Sequence, residues 1–380
     1  MKGKRIWKPW KMAKNTKSLE MNVAVEELNG FFRNKPLVFV GTGASCAVDK
    51  RFGMPALTAE LVQKVGPAVT TDLQRREWQS VETSLREDVE LERALDQVRD
   101  QGLLSLVVRT AGSFVASVDR EYAAPMLMGD KDWPALPLFR RLVETFETER
   151  TLHVVTPNYD LLIEYACGGV GIPFTTGFVD EVLRRMDWNR ADWSMRECES
   201  VPVRNRLKRY VRRRKHVRLY KVHGSLNWFI HKNAVVANDG WSWEPPDHLE
   251  RLVVTPGLSK FERAIQFRND LLREADTAIK NAGSFLFIGY GFNDRHLDAT
   301  PELSNKLIQQ ACPAVVVTRD PSQRVLELLE KADNMWLVCR VPEKENESTR
   351  VRNRRYDGWL CIDGEKWWDI RQFTRTILGV

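Results

Sequence analysis

The sequence contains no C-x-x-C pair. Its six cysteines, at 46, 167, 198, 312, 339 and 361, are scattered along 380 residues, which suits reduced, mostly buried thiols and excludes a disulfide framework or a zinc ribbon. No apolar run approaches the roughly 18–20 residues that span a bilayer, and the basic N-terminus lacks the apolar core of a secretory signal. The default expectation is therefore a cytoplasmic protein. There is neither an internal repeat nor a low-complexity segment, so the chain reads as ordinary globular sequence. The 15 residues of 204–218 include no acid at all while carrying ten basic side chains, counting His216. Such a run repels itself unless something anionic meets it, so it marks a partner or nucleic-acid surface as well as a solvated face.

Hydrophobic residues make up 43% and charged residues 29% of the chain, enough for one large or two medium domains with a sizeable core. The net charge of +7 is moderate, so its distribution says more than its total. Residues 1–17 hold seven lysines or arginines and two tryptophans and read as a basic arm. An amphipathic helical pattern follows at 18–32.

Residues 37–40, LVFV, form a short apolar run that breaks into Gly41-Thr42-Gly43. The run reads as a buried strand, and the glycines allow a tight turn that lets backbone approach a pyrophosphate. A dinucleotide fingerprint also needs a third glycine and an acid about twenty residues on. The third glycine is missing, and Glu60, at the right offset, lies in the amphipathic run 57–65, where a solvated helix face is the simpler reading. Further strands are expected at 152–155, 219–222, 252–254, 285–288 and 314–317, each running out into glycine or polar residues. Six such strands predict a Rossmann-like, doubly wound parallel α/β sheet whose strand ends converge on one crevice.

From 51 to about 146 the apolar spacing is helical: Leu61, Val62 and Val65 behind a Thr58 cap, then Val81, Leu85, Val89, Leu91, Leu95 and Val98. The expected organisation is a basic arm at 1–17 and a main domain at 18–320, with a helical insertion at about 56–147 and a basic insertion at about 180–218. A small C-terminal extension at 321–380 completes it, with Trp336, Trp359, Trp367 and Trp368 packing on the main domain.

Three strand-end loops carry the chemistry: GTGAS at 41–45, TPNYD at 156–160 and HGS at 223–225, with GYGFND at 289–294 behind them. In order and spacing they resemble the sirtuin-like family of NAD-consuming enzymes. The resemblance implies that Asn158 and His223 are catalytic, and that NAD is contacted by Gly41, Thr42, Gly43, Ala44, Ser45, Pro55, Asp160, Gly224, Ser225, Gly289, Tyr290, Gly291, Asp294 and Thr318. The side chain of Asn158 can hold a ribose hydroxyl or a water, and the imidazole of His223 can act as general base. By the same carry-over Asp160 recognises the nicotinamide carboxamide.

The departures are as informative. No cysteine stands between Ser225 and Ala311, so the zinc module of sirtuin deacylases is absent and no metal is expected. Ala56-Leu57-Thr58 replaces the family's Asp-Phe-Arg after Gly53-Met54-Pro55, and Pro157 replaces the Gln before the catalytic Asn. Water as acceptor is the simpler reading: an NAD hydrolase releasing nicotinamide and ADP-ribose, similar to regulated effectors of bacterial antiphage defence. The alternatives are a sirtuin-type deacylase or ADP-ribosyltransferase, and a non-enzymatic NAD-binding assembly subunit. The resemblance further implies a homo-oligomer, and a HerA-type ATPase or an Argonaute-like partner, through which nucleic acid enters.

Overall fold

The apolar run Leu37–Val40 is the central strand of a nine-stranded sheet in the computed structural model. The structure describes residues 18–380 apart from 88, 181, 204–205, 233, 254–261, 295–296, 298–300 and 343–347, so the basic arm at 1–17 lies outside the described residues. On one side of the central strand stand Thr151–Thr156, His216–Lys221 and Phe174–Thr175, in that order. On the other stand Phe285–Ile288, Ala314–Val317, Met335–Arg340, Ser348–Asn353 and Leu360–Asp363. All neighbours pair in parallel except the last two pairs, which are antiparallel. The strands at 37, 285 and 314 are four residues long and buried on both faces, which is why they read as continuous apolar runs instead of alternating ones.

The chain leaves the central strand toward Thr151–Thr156 and later returns to its other side at Phe285–Ile288. This reversal of strand order opens a crevice at the carboxyl ends of the central strands. Between residues 42 and 145 every described element is helical. The first long helix there, Met54–Ala68, starts at an N-cap of Gly53, leaving Thr58 in its interior instead of capping it. Asp72–Arg86 begins with a reciprocal Thr71–Gln74 capping box. Leu61, Val65, Trp78, Val81, Leu95 and Val107 close a separate apolar cluster for this helical block.

Helix Gln101–Met128 is 28 residues long and apolar enough by length and composition to cross a membrane, yet half of its most apolar window is buried. Its last four residues, 125–128, include Pro125. The fully buried Asp119 on this helix accepts from the Leu161 amide at 2.8 Å, the Tyr165 hydroxyl at 2.6 Å and Trp243 Nε1 at 3.1 Å. Burial pushes its carboxyl upward, against the pull of these donors. The helical block is thereby fastened to the loop that follows Thr151–Thr156.

Two expectations are corrected. The strand read at 252–254 is Glu250–Val253, and it pairs antiparallel with Gly224–His231 in a separate five-stranded sheet that also contains Ala234–Ala237, Arg184–Met186 and Phe178–Val179. A three-residue apolar run carries no information on its direction or its sheet, so the parallel assignment had no local basis. Residues 255–257, expected as its exit turn, lie outside the described residues. The stretch after 320 is not an appendage: its three strands extend the main sheet, and helix Ile370–Leu378 packs Phe373 on Phe32 with ring centroids 6.1 Å apart. Trp367 and Trp336 are buried in that continuation.

His153 gives the fold an acid sensitivity. Its Nδ1 lies 2.8 Å from the Tyr220 hydroxyl and its ring stacks on Tyr220. Burial, reinforced by Arg218, His216 and Arg213 and opposed by Asp192, lowers its pKa from 6.5 to about 4. The unfolded chain takes up this proton below about 6.5 and the folded chain resists until about 4. The stabilisation is therefore complete above 6.5 and is lost as pH falls through that window, by about 3 kcal/mol in total. Burial lowers His216 as well, with the same sign. Denaturant unfolding of the wild type from pH 7 to 4 should show this decline, and His153→Gln should flatten it; an equal slope in both proteins would refute the assignment.

Candidate active site at the carboxyl ends of the central strands

The central strand ends at Val40, and two loops meet immediately beyond it. The Gly41 amide donates to Ile288 O at 2.9 Å and the Gly43 amide to Gly289 O at 3.0 Å. A Cβ on Gly41 would lie 2.4 Å from Gly289 O, and one on Gly43 2.8 Å from Gly289 Cα. Gly289 has φ +56 and no room for a Cβ against Ala44 N. The glycines read as a phosphate cradle are therefore required first by back-to-back packing of loops 41–45 and 289–294, which a side chain on any of the three would separate.

Asn158 is fixed from several directions. Thr156 Oγ1 donates to Val40 O at 2.8 Å and accepts the Asn158 amide at 3.1 Å. Asn158 Nδ2 donates to Gly41 O at 3.1 Å and to Ser45 Oγ at 3.0 Å, while Oδ1 accepts from Thr42 Oγ1 at 3.4 Å. Both amide protons are thus committed to the glycine loop. Oδ1, with one long contact, retains acceptor capacity toward a ligand.

Asp160 is packed against the glycine loop. Its carboxylate accepts from Ser45 Oγ at 2.7 Å and from the Leu162 amide at 3.3 Å, so it braces the glycine loop from inside. Below it lies Lys221, 1% exposed, whose Nζ donates to Asp160 O at 2.5 Å and to Glu164 Oε1 at 2.8 Å. Burial raises the carboxyls of Asp160 and Glu164, and the Lys221 charge opposes that rise. Lys221, Glu164 and Asp119 were not singled out from the sequence. The available signal was a lysine inside the otherwise apolar run at 219–222, because a charge is almost never fully buried without a partner.

His223 occupies the turn between His216–Lys221 and Gly224–His231. Ser225 Oγ and the Leu226 amide both donate to Tyr159 O, at 3.5 and 3.0 Å, joining this turn to the Asn158 loop. His223 Nε2 lies 2.9 Å from Asp294 Oδ2, a close contact outside hydrogen-bond geometry. The other Asp294 oxygen accepts from the Leu297 amide at 3.2 Å. Asp294 therefore faces the imidazole.

The remaining candidates divide. Thr42 is half-buried and Gly43 exposed at the crevice, with Ala44 and Ser45 buried behind them. The Tyr290 ring is 3% exposed and packs on Phe39 and Phe292, so its side chain belongs to the core. Gly291 O accepts from Ser322 Oγ, which anchors the late loop. Thr318 follows the next strand outward and gives its amide to Val338 O at 3.1 Å. Pro55 is exposed in the first turn of Met54–Ala68, and no hydrogen bond joins either residue to Asn158 or His223 among the described residues.

Gly224 sets the His223 turn. It has φ +88, and a Cβ there would lie 2.0 Å from Leu252 O. Gly224→Ala should lower stability by more than about 1–2 kcal/mol, since left-handed backbone and a main-chain clash coincide. Thermal unfolding checks this, and an unchanged midpoint would show that the turn tolerates a side chain.

Among the described residues no group of three or more His, Cys, Asp or Glu side chains is arranged to hold a metal ion. The fold and the gathered polar residues define an open α/β protein with its ligand crevice at a topological switch point. Residues 152–337 match the family model of the SIR2-like domain, a stretch that includes Asn158, Lys221, His223 and Asp294. The glycine loop at 41–45 precedes the matched stretch and joins the site by geometry. Among solved structures, one from work on the structural basis for the mechanism and regulation of Sir2 enzymes aligns with 82% of this chain and 90% of its own. Its identity is 12% and its TM-score 0.37. No curated protein matches the sequence significantly.

Proposed function

We propose that this chain hydrolyses NAD at the nicotinamide–ribose bond, giving nicotinamide and ADP-ribose. The observation that supports the reading is the linkage of the strand-end loops: Asn158 is tied to the glycine loop through Ser45 and Thr42, the His223 turn is joined to the Asn158 loop at Tyr159 O, and Asp294 faces His223. In this reading the C1′–N bond breaks with its electron pair passing to the pyridinium nitrogen, which neutralises the leaving group without an acid. Asn158 Oδ1 accepts from a ribose hydroxyl or from the attacking water. His223, oriented by Asp294, takes the proton that water or the hydroxyl releases. Water adds to C1′, and the released proton balances the reaction.

The missing cysteine pairs and the altered residues at 56–58 and 157 support water over an acyl-lysine as acceptor. By resemblance the reading extends to a regulated, NAD-depleting effector of bacterial antiphage defence, working as an oligomer with a HerA-type ATPase or an Argonaute-like partner. The test is incubation of the purified chain with NAD, alone and with the product of its neighbouring gene. Mass spectrometry should show equal amounts of nicotinamide and free ADP-ribose. ADP-ribose attached to protein or nucleic acid, or NAD bound without turnover under both conditions, would overturn the proposal.

A further inference from the structure

The basic run singled out in the sequence takes a form that its composition does not reveal. Arg196–Val203 and Arg206–Arg213 pair antiparallel as a two-stranded sheet separate from the other two. Every residue of Arg206–Arg213 is exposed, with Leu207 at 73% and Val211 at 63%. A lone two-stranded ribbon is marginal in water, and this one holds large apolar side chains in solvent.

Charge is distributed unevenly along it. Arg212 pairs with Glu197 and Glu199, and Arg213 Nη1 donates to Thr151 Oγ1 at 3.4 Å. Toward the other end, no carboxylate pairs with Arg206, Lys208 or Arg209 among the described residues. Successive side chains alternate between faces, so Arg209 lies on one face with Leu207 and Val211, while Arg206 and Lys208 lie on the other with Tyr210. A flat acidic protein surface would meet only one of these faces. A polyanion running along the strand meets both. Side chains two residues apart are separated by about 6.8 Å, the axial rise of two base pairs at about 3.4 Å each. A two-stranded ribbon also fits the roughly 12 Å width of a major groove.

We propose that this ribbon is a duplex-DNA docking element, with Arg206, Lys208 and Arg209 on phosphates and Leu207 and Val211 against the groove. It stands independently of the NAD reading. The test is fluorescence anisotropy of the full-length protein with a labelled 20-base-pair duplex across salt concentrations. Arg206→Glu, Lys208→Glu and Arg209→Glu together should weaken binding at low salt at least 10-fold and reduce the slope of log K against log salt by about three. The matched control is Lys64→Glu, Arg76→Glu and Arg93→Glu together. These are exposed residues of the helical block, and the control should keep the wild-type slope. If the triple reversal unfolds the protein, the three Gln substitutions replace it with the same expectation. The proposal is overturned if wild type does not bind the duplex, if both triples weaken binding equally, or if polyglutamate competes as well as DNA.

Discussion

His223→Ala is expected to reduce nicotinamide release from NAD by about 10²–10⁴-fold, the usual cost of removing a positioned proton acceptor. The side chain stands in a turn, and its close contact is with Asp294, so folding should be little changed. Asn158→Ala is expected to fall as far, but with a second consequence. It leaves Gly41 O and Ser45 Oγ without the donors they now have, a loss of about 1–3 kcal/mol for buried polar groups. Thermal unfolding separates the two effects: His223→Ala should keep the wild-type midpoint while losing turnover. Nicotinamide release at the wild-type rate in both variants would refute the assignment of the site.

Lys221→Met should be the most destabilising single substitution beneath the site. Lys221 is buried between strand and helix, with Nζ on Asp160 O and Glu164 Oε1. Removing it leaves the Glu164 carboxylate buried without its cation, which typically costs about 3–5 kcal/mol. The double variant Lys221→Met, Glu164→Leu removes both charges and should recover most of the loss, because an apolar pair of similar volume carries no desolvation penalty. Chemical denaturation of the four proteins measures the coupling. A loss below about 1 kcal/mol in the single variant would show that the pair is not structural.

Much of this architecture was legible in the order of residues. The strands at 37–40, 152–155, 219–222, 285–288 and 314–317 could be read because strands buried on both faces are continuous apolar runs. Asn158 and His223 could be marked by the resemblance of their loops, TPNYD and HGS, to the sirtuin-like family, each loop following such a run. The antiparallel sheet around Gly224–His231 escaped because its pairing partners are set by contacts distant in sequence. The strands after 320 escaped for a similar reason. Their tryptophans suggested packing on the domain, while membership of the main sheet depends on Met335–Arg340 finding the free edge of Ala314–Val317.

By itself the sequence determined a parallel α/β sheet, a helical block between its first two strands and the loops that bear the candidate catalytic groups. Local periodicity and turn chemistry are properties of neighbouring residues, and they survive without a structure. Only the tertiary structure decided that Gly41 and Gly43 are glycines because Gly289 lies against them, that Asp294 faces His223, and that Lys221 holds Asp160 and Glu164 from below. It also turned a basic run into an exposed two-stranded ribbon. Each of these depends on atoms brought within about 3 Å by strands far apart in the chain, and no local pattern encodes that distance.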